Sequence, residues 1–363
     1  MSTPRGFSRF SSGDLKRPSS LGYPRPAVRR RDFLGQSLLA ACGACLSARG
    51  DVDGAAVLDL QLGWLAGGNQ LGEVVARRLG YFEEEGLRLE IHPGGPHIDG
   101  VGIVASGRYR LGEVASSPSL MLAVSQGIPI RAFGVCVQEH PYSYFSLPSK
   151  PVRSPGDMVG KKVGTNATGR ILLDALLAKH GINPDSLEVV VIGSAMTPLL
   201  TGQVDVVTGW TTNVTALKPL GPDRIAMRLW DQGIRLYAMP YYATNDTLAN
   251  EPHLLEAFLR AAGRGWELAY RETERAVGIL VEEYPILRFQ DELDAARELL
   301  TYVFTEKTRE RGWATMDRET WQEQIVSHDA LGQFTKRVPS VDDVMTLSIL
   351  EATKDQRPHL EAS

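Results

Sequence analysis

The chain has 363 residues, a length that gives about two or three compact units with sizeable cores. Hydrophobic residues at 43% and aromatics at 7% exclude a disordered chain and a multispanning membrane protein. The formal net charge of −4 divides into +7 over the first 31 residues and −11 over the rest. An acidic body without a Lys/Arg stripe cannot neutralise phosphates, so nucleic acid is excluded and the partners are neutral, zwitterionic or small.

The basic start reads as an address. Arg29-Arg30-Arg31-Asp32-Phe33-Leu34 carries a twin-arginine pattern, and the apolar run from Leu38 to Leu46 that follows is too short to span a bilayer. Residues 1–50 are therefore expected to be an export leader, the other reading being a disordered tail. Leu39-Ala40-Ala41-Cys42 has the shape of a lipobox, with Cys42 as the lipidated residue; cleavage near Ala48 and soluble export is the alternative. Cys42 and Cys45 lie in this segment, and Cys136 alone in the body provides no intrachain disulfide.

After the leader, Val57 to Leu62 alternates apolar and polar as a half-buried strand does, and a Gly-rich loop from Gly63 to Gln70 leads into a helix ending near Gly80. The unit repeats with strands near 87–92, 110–115 and 129–137 and helices near 98–106 and 117–126. The Pro93-Gly94-Gly95-Pro96 turn before the first of these two helices leaves backbone N–H groups beside a helix start, a place for a small anionic or polar ligand. A segment from Ser146 to Gly156 precedes a second series, with strands at 162–165, 187–192 and 204–207 and helices at 170–179 and 195–200. A strand from Arg235 to Thr244 follows, and everything after about Glu251 reads as helix. Strands alternating with helices at this spacing predict an α/β protein with mainly parallel sheets.

Four segments in order carry a resemblance: Gly80-Tyr81-Phe82-Glu83-Glu84-Glu85-Gly86-Leu87, Ile91 to Asp99, Asp157-Met158-Val159-Gly160-Lys161-Lys162-Val163-Gly164, and Leu200-Thr201-Gly202-Gln203-Val204-Asp205-Val206-Val207. Over residues 57 to 345 the chain resembles the periplasmic substrate-binding proteins of ABC importers, in the branch grouping sulfonate, nitrate and taurine binders with thiamine-pyrimidine binders. The resemblance implies a two-lobe type II periplasmic binding fold, with lobe one at 57–146 and 237–345 including a helical C-terminal part, lobe two at 147–236, and a polar tail at 346–363. It also implies a periplasmic protein without a reaction, metal or cofactor, whose partners are a small solute and the permease and ATPase subunits. Membrane contact would come through a lipid anchor or the permease.

Ligands in open α/β sheets sit outside the carboxyl ends of the strands, which singles out the strand-to-helix loops. Trp64 and Asn69 follow the first strand, and a ring beside glycines offers a flat face to a planar ligand; core packing explains the Trp equally well. Gly95 lies in the Pro/Gly turn. Ser116 and Ser117 open a helix, where an ordinary N-cap explains one serine and not the cluster, and so do Thr165, Asn166 and Thr168, of which Thr168 alone could be only a cap. Trp210 and Asn213 hold the matching position in the second series; the resembled family often has an acid or amide at the place of Asn213. Asp231 and Tyr237 lie at a crossover, where hinge packing competes with ligand contact.

Gly100-Val101-Gly102-Ile103-Val104-Ala105 matches a dinucleotide pattern by letters but lies inside a predicted helix, and HExxH, GxSxG and CxxC outside the leader are missing from the sequence. The candidate solutes are a thiamine-pyrimidine or riboflavin-like heterocycle, or sulfonate, nitrate or taurine. One rival is a thiamine-pyrimidine synthase of the same superfamily, whose cysteine-rich motif would fall at Phe133-Gly134-Val135-Cys136-Val137-Gln138, with a single cysteine. Another is a ligand sensor that signals to a membrane receptor.

Overall fold

Alternation sets the first strand: in β1 (Ala56–Gln61) Leu58 and Leu60 are buried while Val57 faces outward. The computed structural model describes residues 55–361, apart from Pro96, Ser194 and the side chains of Ala167 and Thr168. The segment expected to be an export leader, with its arginines and Cys42, lies outside the described residues.

Around β1 a five-stranded sheet forms in the order β2-β1-β3-β10-β4, with β2 (Leu87–His92), β3 (Leu111–Glu113), β4 (Ile130–Val137) and β10 (Ala238–Thr244). β2 and β3 run parallel to β1, and β10 is antiparallel to both of its neighbours. Helices α1 (Leu71–Arg78), α2 (Tyr81–Glu84), α3 (Gly100–Ala105) and α4 (Ser117–Ser125) make the connections. Gly80 (φ 79°) and Gly86 (φ 72°) bracket α2. Both take the left-handed conformation in which a side chain is strained, so the Gly-Tyr-Phe-Glu-Glu-Glu-Gly segment has a backbone reason.

The second sheet has the order β7-β6-β8-β5-β9, from β5 (Tyr142–Ser146), β6 (Lys162–Thr165), β7 (Glu188–Val191), β8 (Val206–Trp210) and β9 (Ile225–Arg228). Its helices are α5 (Ala167–Lys179), α6 (Thr197–Leu200) and α7 (Val214–Leu217). Again one strand opposes the rest: β5 is antiparallel to β8 and β9. β5 and β9 are absent from the sequence reading, and β8 extends to Trp210 rather than ending at Val207. Each lobe is thus a mainly parallel sheet whose single reversed strand is the one that follows a crossover. The two crossovers, 138–141 and 229–237, lie side by side: the His140 N–H donates to Leu236 O at 3.1 Å and the Leu229 N–H to Tyr142 O at 2.9 Å.

From β10 the chain continues as α8 (Asn245–Asn250), α9 (Pro252–Arg271), α10 (Thr273–Glu283), α11 (Phe289–Val303), α12 (Glu306–Arg311), α13 (Arg318–Ala330), α14 (Val341–Val344) and α15 (Ser348–Ala352). α9 approaches α1 so closely that a Cβ on Gly265 would strike the Gly72 carbonyl, and one on Gly72 the Trp266 ring. Trp266, Trp313 and Trp321 are fully buried in this lobe, and truncating any of them costs about 3–5 kcal/mol. The expected polar tail needs correction. Ile349, Leu350 and Arg357 are buried, with the Arg357 guanidinium donating to the Trp313 and Leu350 carbonyls. Residues 346–361 therefore belong to the packed body, because two apolar side chains suffice to seat a short helix whose other positions are polar.

Candidate functional site: the cleft between the two sheets

The carboxyl ends of β1 and β3 in the first lobe and of β6 and β8 in the second carry the loops that meet between the lobes. At the hinge they form a polar and aromatic chain. His140 is buried, and its Nε2 lies 3.0 Å from Ser116 Oγ while its Nδ1 accepts the Tyr142 N–H at 3.2 Å. Burial drives its pKa down to about 3, so the ring is neutral. With Nδ1 occupied as acceptor the proton sits on Nε2 and is donated to Ser116. The hydroxyl proton of Ser116 is then available to an acceptor, since this side chain does not cap α4. The His140 ring meets Trp210 edge-on at 5.1 Å. Beyond it, Thr208 Oγ1 donates to Thr165 Oγ1 at 2.9 Å and the Tyr142 hydroxyl stands 3.2 Å from the same atom.

A cavity of about 400 Å3 opens beside this chain. Leu65 to Asn69 of the β1 loop and helices α10 and α11 form its first-lobe wall, and residues 212–216 after β8 form the other. Its polar lining is Asn69, Thr212, Asn213, Thr215, Asp291 and Glu292. Lys218 of the second lobe pairs with Asp291 of α11, and this hydrogen bond holds the Asp291 carboxyl below its usual range. Glu292 moves the other way, raised by burial and then by the Asp291 charge. Thr212 is 6% exposed and its Oγ1 has no partner among the described residues. A second cavity, of about 610 Å3, lies at the opposite end of the first sheet beside Arg110, Pro129 and Thr244, away from the strand ends that bear these loops.

The residues singled out from the sequence fall into distinct places. Asn69 and Asn213 line one cavity from opposite lobes. Ser116, Thr165 and Trp210 belong to the hinge chain, with Trp210 half-buried against the cores of both lobes. Trp64 is 50% exposed on the rim. Gly95 lies near it, but the adjacent Gly94 N–H of the Pro/Gly turn donates to Trp64 O at 2.8 Å, and the start of α3 behind the turn is capped by Asp99 on the Gly102 N–H at 2.9 Å.

Four others stand elsewhere. Ser117 is fully buried, donates to Gln324 Oε1 at 2.6 Å and accepts the Tyr237 N–H at 3.2 Å, tying α4 to α13 and the crossover. Asn166 caps α5 through the Gly169 N–H at 2.8 Å. Asp231 is exposed and lies 3.4 Å from Arg228. Tyr237 is in the first-lobe core, its ring 5.6 Å from Trp321 and its oxygen accepting the Asp317 N–H. Packing between α4, α13 and the crossover consumes the Ser117 and Tyr237 groups that the sequence reading directs at a ligand. The side chain of Thr168 lies outside the described residues.

His140, Thr208, Asp291 and Glu292 are additions from the structure. His140 is flagged in sequence by its place in the Gln138-Glu139-His140-Pro141 crossover. Asp291 and Glu292 carry no such flag, because α11 reads as an ordinary amphipathic helix.

Residues 68–276 match the family model described as NMT1/THI5 like. The chain belongs to the NMT1/THI5-like family. Among curated relatives, a 4-amino-5-hydroxymethyl-2-methylpyrimidine phosphate synthase of Legionella pneumophila is 26% identical, covering 80% of this chain and 89% of that protein. A formylaminopyrimidine-binding protein of Halalkalibacterium halodurans is 25% identical, covering 81% and 92%. The periplasmic aliphatic sulphonate binding protein SsuA from Escherichia coli superposes with a TM-score of 0.63 at 14% identity, over 85% of this chain and 94% of that one. At that identity the likeness concerns the fold, which is that of periplasmic binding proteins. The family thus includes relatives named for binding and relatives named for synthesis.

Proposed function

We propose that the protein is the exported solute-binding component of an ABC importer, closing its lobes on a small planar heterocycle of the pyrimidine class and delivering it to permease and ATPase subunits. The observation that carries this reading is the interlobe cavity with Asn69 on one wall and Thr212 and Asn213 on the other. A cavity of about 400 Å3 suits a small molecule, and polar groups divided between two bodies bind a ligand best when the bodies close on it. No Lys or Arg occurs among its described lining residues, which favours a neutral or cationic heterocycle over sulfonate, nitrate or taurine. The pyrimidine-named relatives point the same way. Lobe one would comprise residues 55–137 with 238–361, and lobe two 142–228, a shift from the expected break at 146 because β5 (Tyr142–Ser146) pairs within the second sheet. The basic leader supports export by the twin-arginine route, with Cys42 as the lipid attachment.

The synthase-named relatives favour an enzymatic alternative. Against it stands Cys136, which is fully buried with its thiol pushed up by burial, so the cysteine of the body offers no reactive group to the cleft. A thermal-shift screen of the purified body against aminopyrimidines, flavins, sulfonates, nitrate and pyridoxal phosphate tests both. A ligand held by the native state raises the melting temperature by mass action, by about 2.7 kcal/mol of stability at a hundredfold excess over Kd. Stabilisation by an aminopyrimidine with no turnover is the expected result. Turnover of any of these compounds to a pyrimidine would establish the enzyme instead, and stabilisation by sulfonates alone would move the ligand class.

A further inference from the structure

The cavity wall formed by α11 presents a carboxylate that the fold does not use. Glu292 makes no ion pair and no side-chain hydrogen bond among the described residues, although it is half-buried and its neighbour Asp291 is matched by Lys218. It is not simply a solvated surface acid. A Cβ on Gly68 would collide with Glu292 Oε2, so the carboxylate lies against the β1 loop and depends on glycine there for its space. Asn69 follows immediately on that loop, and Thr212 and Asn213 line the same cavity from the second lobe.

We propose that Glu292 is the specificity-determining group of the cleft, accepting paired N–H donors from an amidine-like edge of the ligand while Asn69, Thr212 and Asn213 take its remaining polar atoms. The assignment rests on the cleft being the solute site. A carboxylate drawn partly out of water loses hydration, and two N–H donors from a planar ring restore that loss in a bidentate geometry that an anion cannot offer. Asp291 is compensated by Lys218, so among the described residues Glu292 is the unpaired charge of this wall and a sulfonate or phosphate entering the cavity meets repulsion from it. Thr212, nine-tenths buried with an unpartnered hydroxyl, is the complementary group for a ring nitrogen or an exocyclic oxygen.

The test is calorimetric titration of the purified body with 4-amino-5-hydroxymethyl-2-methylpyrimidine as probe, and with methanesulfonate as the anionic comparison, for wild type, Glu292→Gln and Asn213→Ala. Melting curves accompany each variant, so that loss of binding is separated from loss of fold. Glu292→Gln should weaken the pyrimidine by about ten- to a hundredfold, the worth of charge-assisted hydrogen bonds, without lowering the melting temperature, and should not weaken methanesulfonate. If Asn213→Ala loses the probe while Glu292→Gln binds it as wild type does, the cavity is the site and Glu292 does not read the ligand. If neither variant changes probe affinity, the cavity is not the site and the cleft reading falls with the assignment. Wild type that takes methanesulfonate and refuses the pyrimidine overturns the assignment outright.

Discussion

Replacing Glu113 by Gln should make the protein less sensitive to alkaline pH. Glu113 and Glu73 are both buried in the first lobe: Glu113 Oε2 accepts from Gln70 Nε2 at 3.0 Å, and Glu73 accepts from the Tyr241 hydroxyl. Burial raises Glu113 from 4.5 to about 8, with the Glu73 charge adding to it, and burial raises Glu73 to about 7. In the unfolded chain both return to the ordinary carboxyl range, so between about pH 4.5 and 7 the native state holds two more protons than the unfolded state. A raised folded-state value means that the stabilisation is fully present below pH 4.5 and is lost as pH rises to about 8. Each proton is worth about 1.4 kcal/mol per pH unit. Glu113→Gln keeps an oxygen for the Gln70 amide and removes one of the two titrations, so that relative to wild type the loss with rising pH is smaller by about 1.4 kcal/mol per pH unit between pH 5 and 7, and the contribution of the pair between 7 and 8 is abolished. Urea unfolding followed by near-UV circular dichroism at pH 5, 6, 7, 8 and 9 gives the slope directly. A variant that loses stability as steeply as wild type from pH 5 to 8 would refute the assignment of the alkaline loss to this pair.

Trp210→Ala should weaken the cleft ligand by about tenfold, because the ring packs on His140 at the hinge and precedes the 212–216 segment that lines the cavity, with a modest fall in melting temperature because the ring is half-buried. Trp313→Ala, at a fully buried ring, is the comparison and should cost the fold about 3–5 kcal/mol; equal destabilisation by the two would make Trp210 structural. Changing Arg30 and Arg31 to Lys should hold the protein in the cytoplasm, as read by fractionation, and unaltered export would remove the twin-arginine reading. Cys42→Ala should release it from membranes, whereas a mature N-terminus beyond Cys42 would show that this cysteine is not lipidated.

Sequence pattern was most legible where one physical cause acted alone. β1, β2, β4 and β6 carry clear apolar periodicity or continuous buried runs, and Gly80 and Gly86 mark turns that require a left-handed backbone. β5, Tyr-Ser-Tyr-Phe-Ser, is buried along its whole length with hydroxyls at every position but Phe145, and its pairing with β8 and β9 could not be read from local composition. β9 is four residues long, too short to show a period. In the site, the rule that ligands sit at strand ends brought Asn69 and Asn213 to one cavity, yet it did not separate Ser116 from Ser117. Adjacent hydroxyls on a helix start look alike in sequence, and packing against Gln324 decides which one is consumed. The contribution of α11 was invisible because Asp291 and Glu292 sit in its first turn, where acids are favoured by the helix dipole alone.

The central claim is that the two lobes close on a solute held between them. Spin labels at Ile98→Cys after β2 in the first lobe and Val191→Cys at the end of β7, both at exposed positions and outside the cavity wall, measure it directly on the body lacking Cys42 and Cys45, since the buried Cys136 does not compete for label. Pulsed electron resonance should give a broad or long distance distribution in the free protein. On saturation with the aminopyrimidine that stabilises the protein, the distribution should shift to a single shorter distance. A distribution unchanged by a ligand that demonstrably binds would contradict closure and place the binding site outside the cleft.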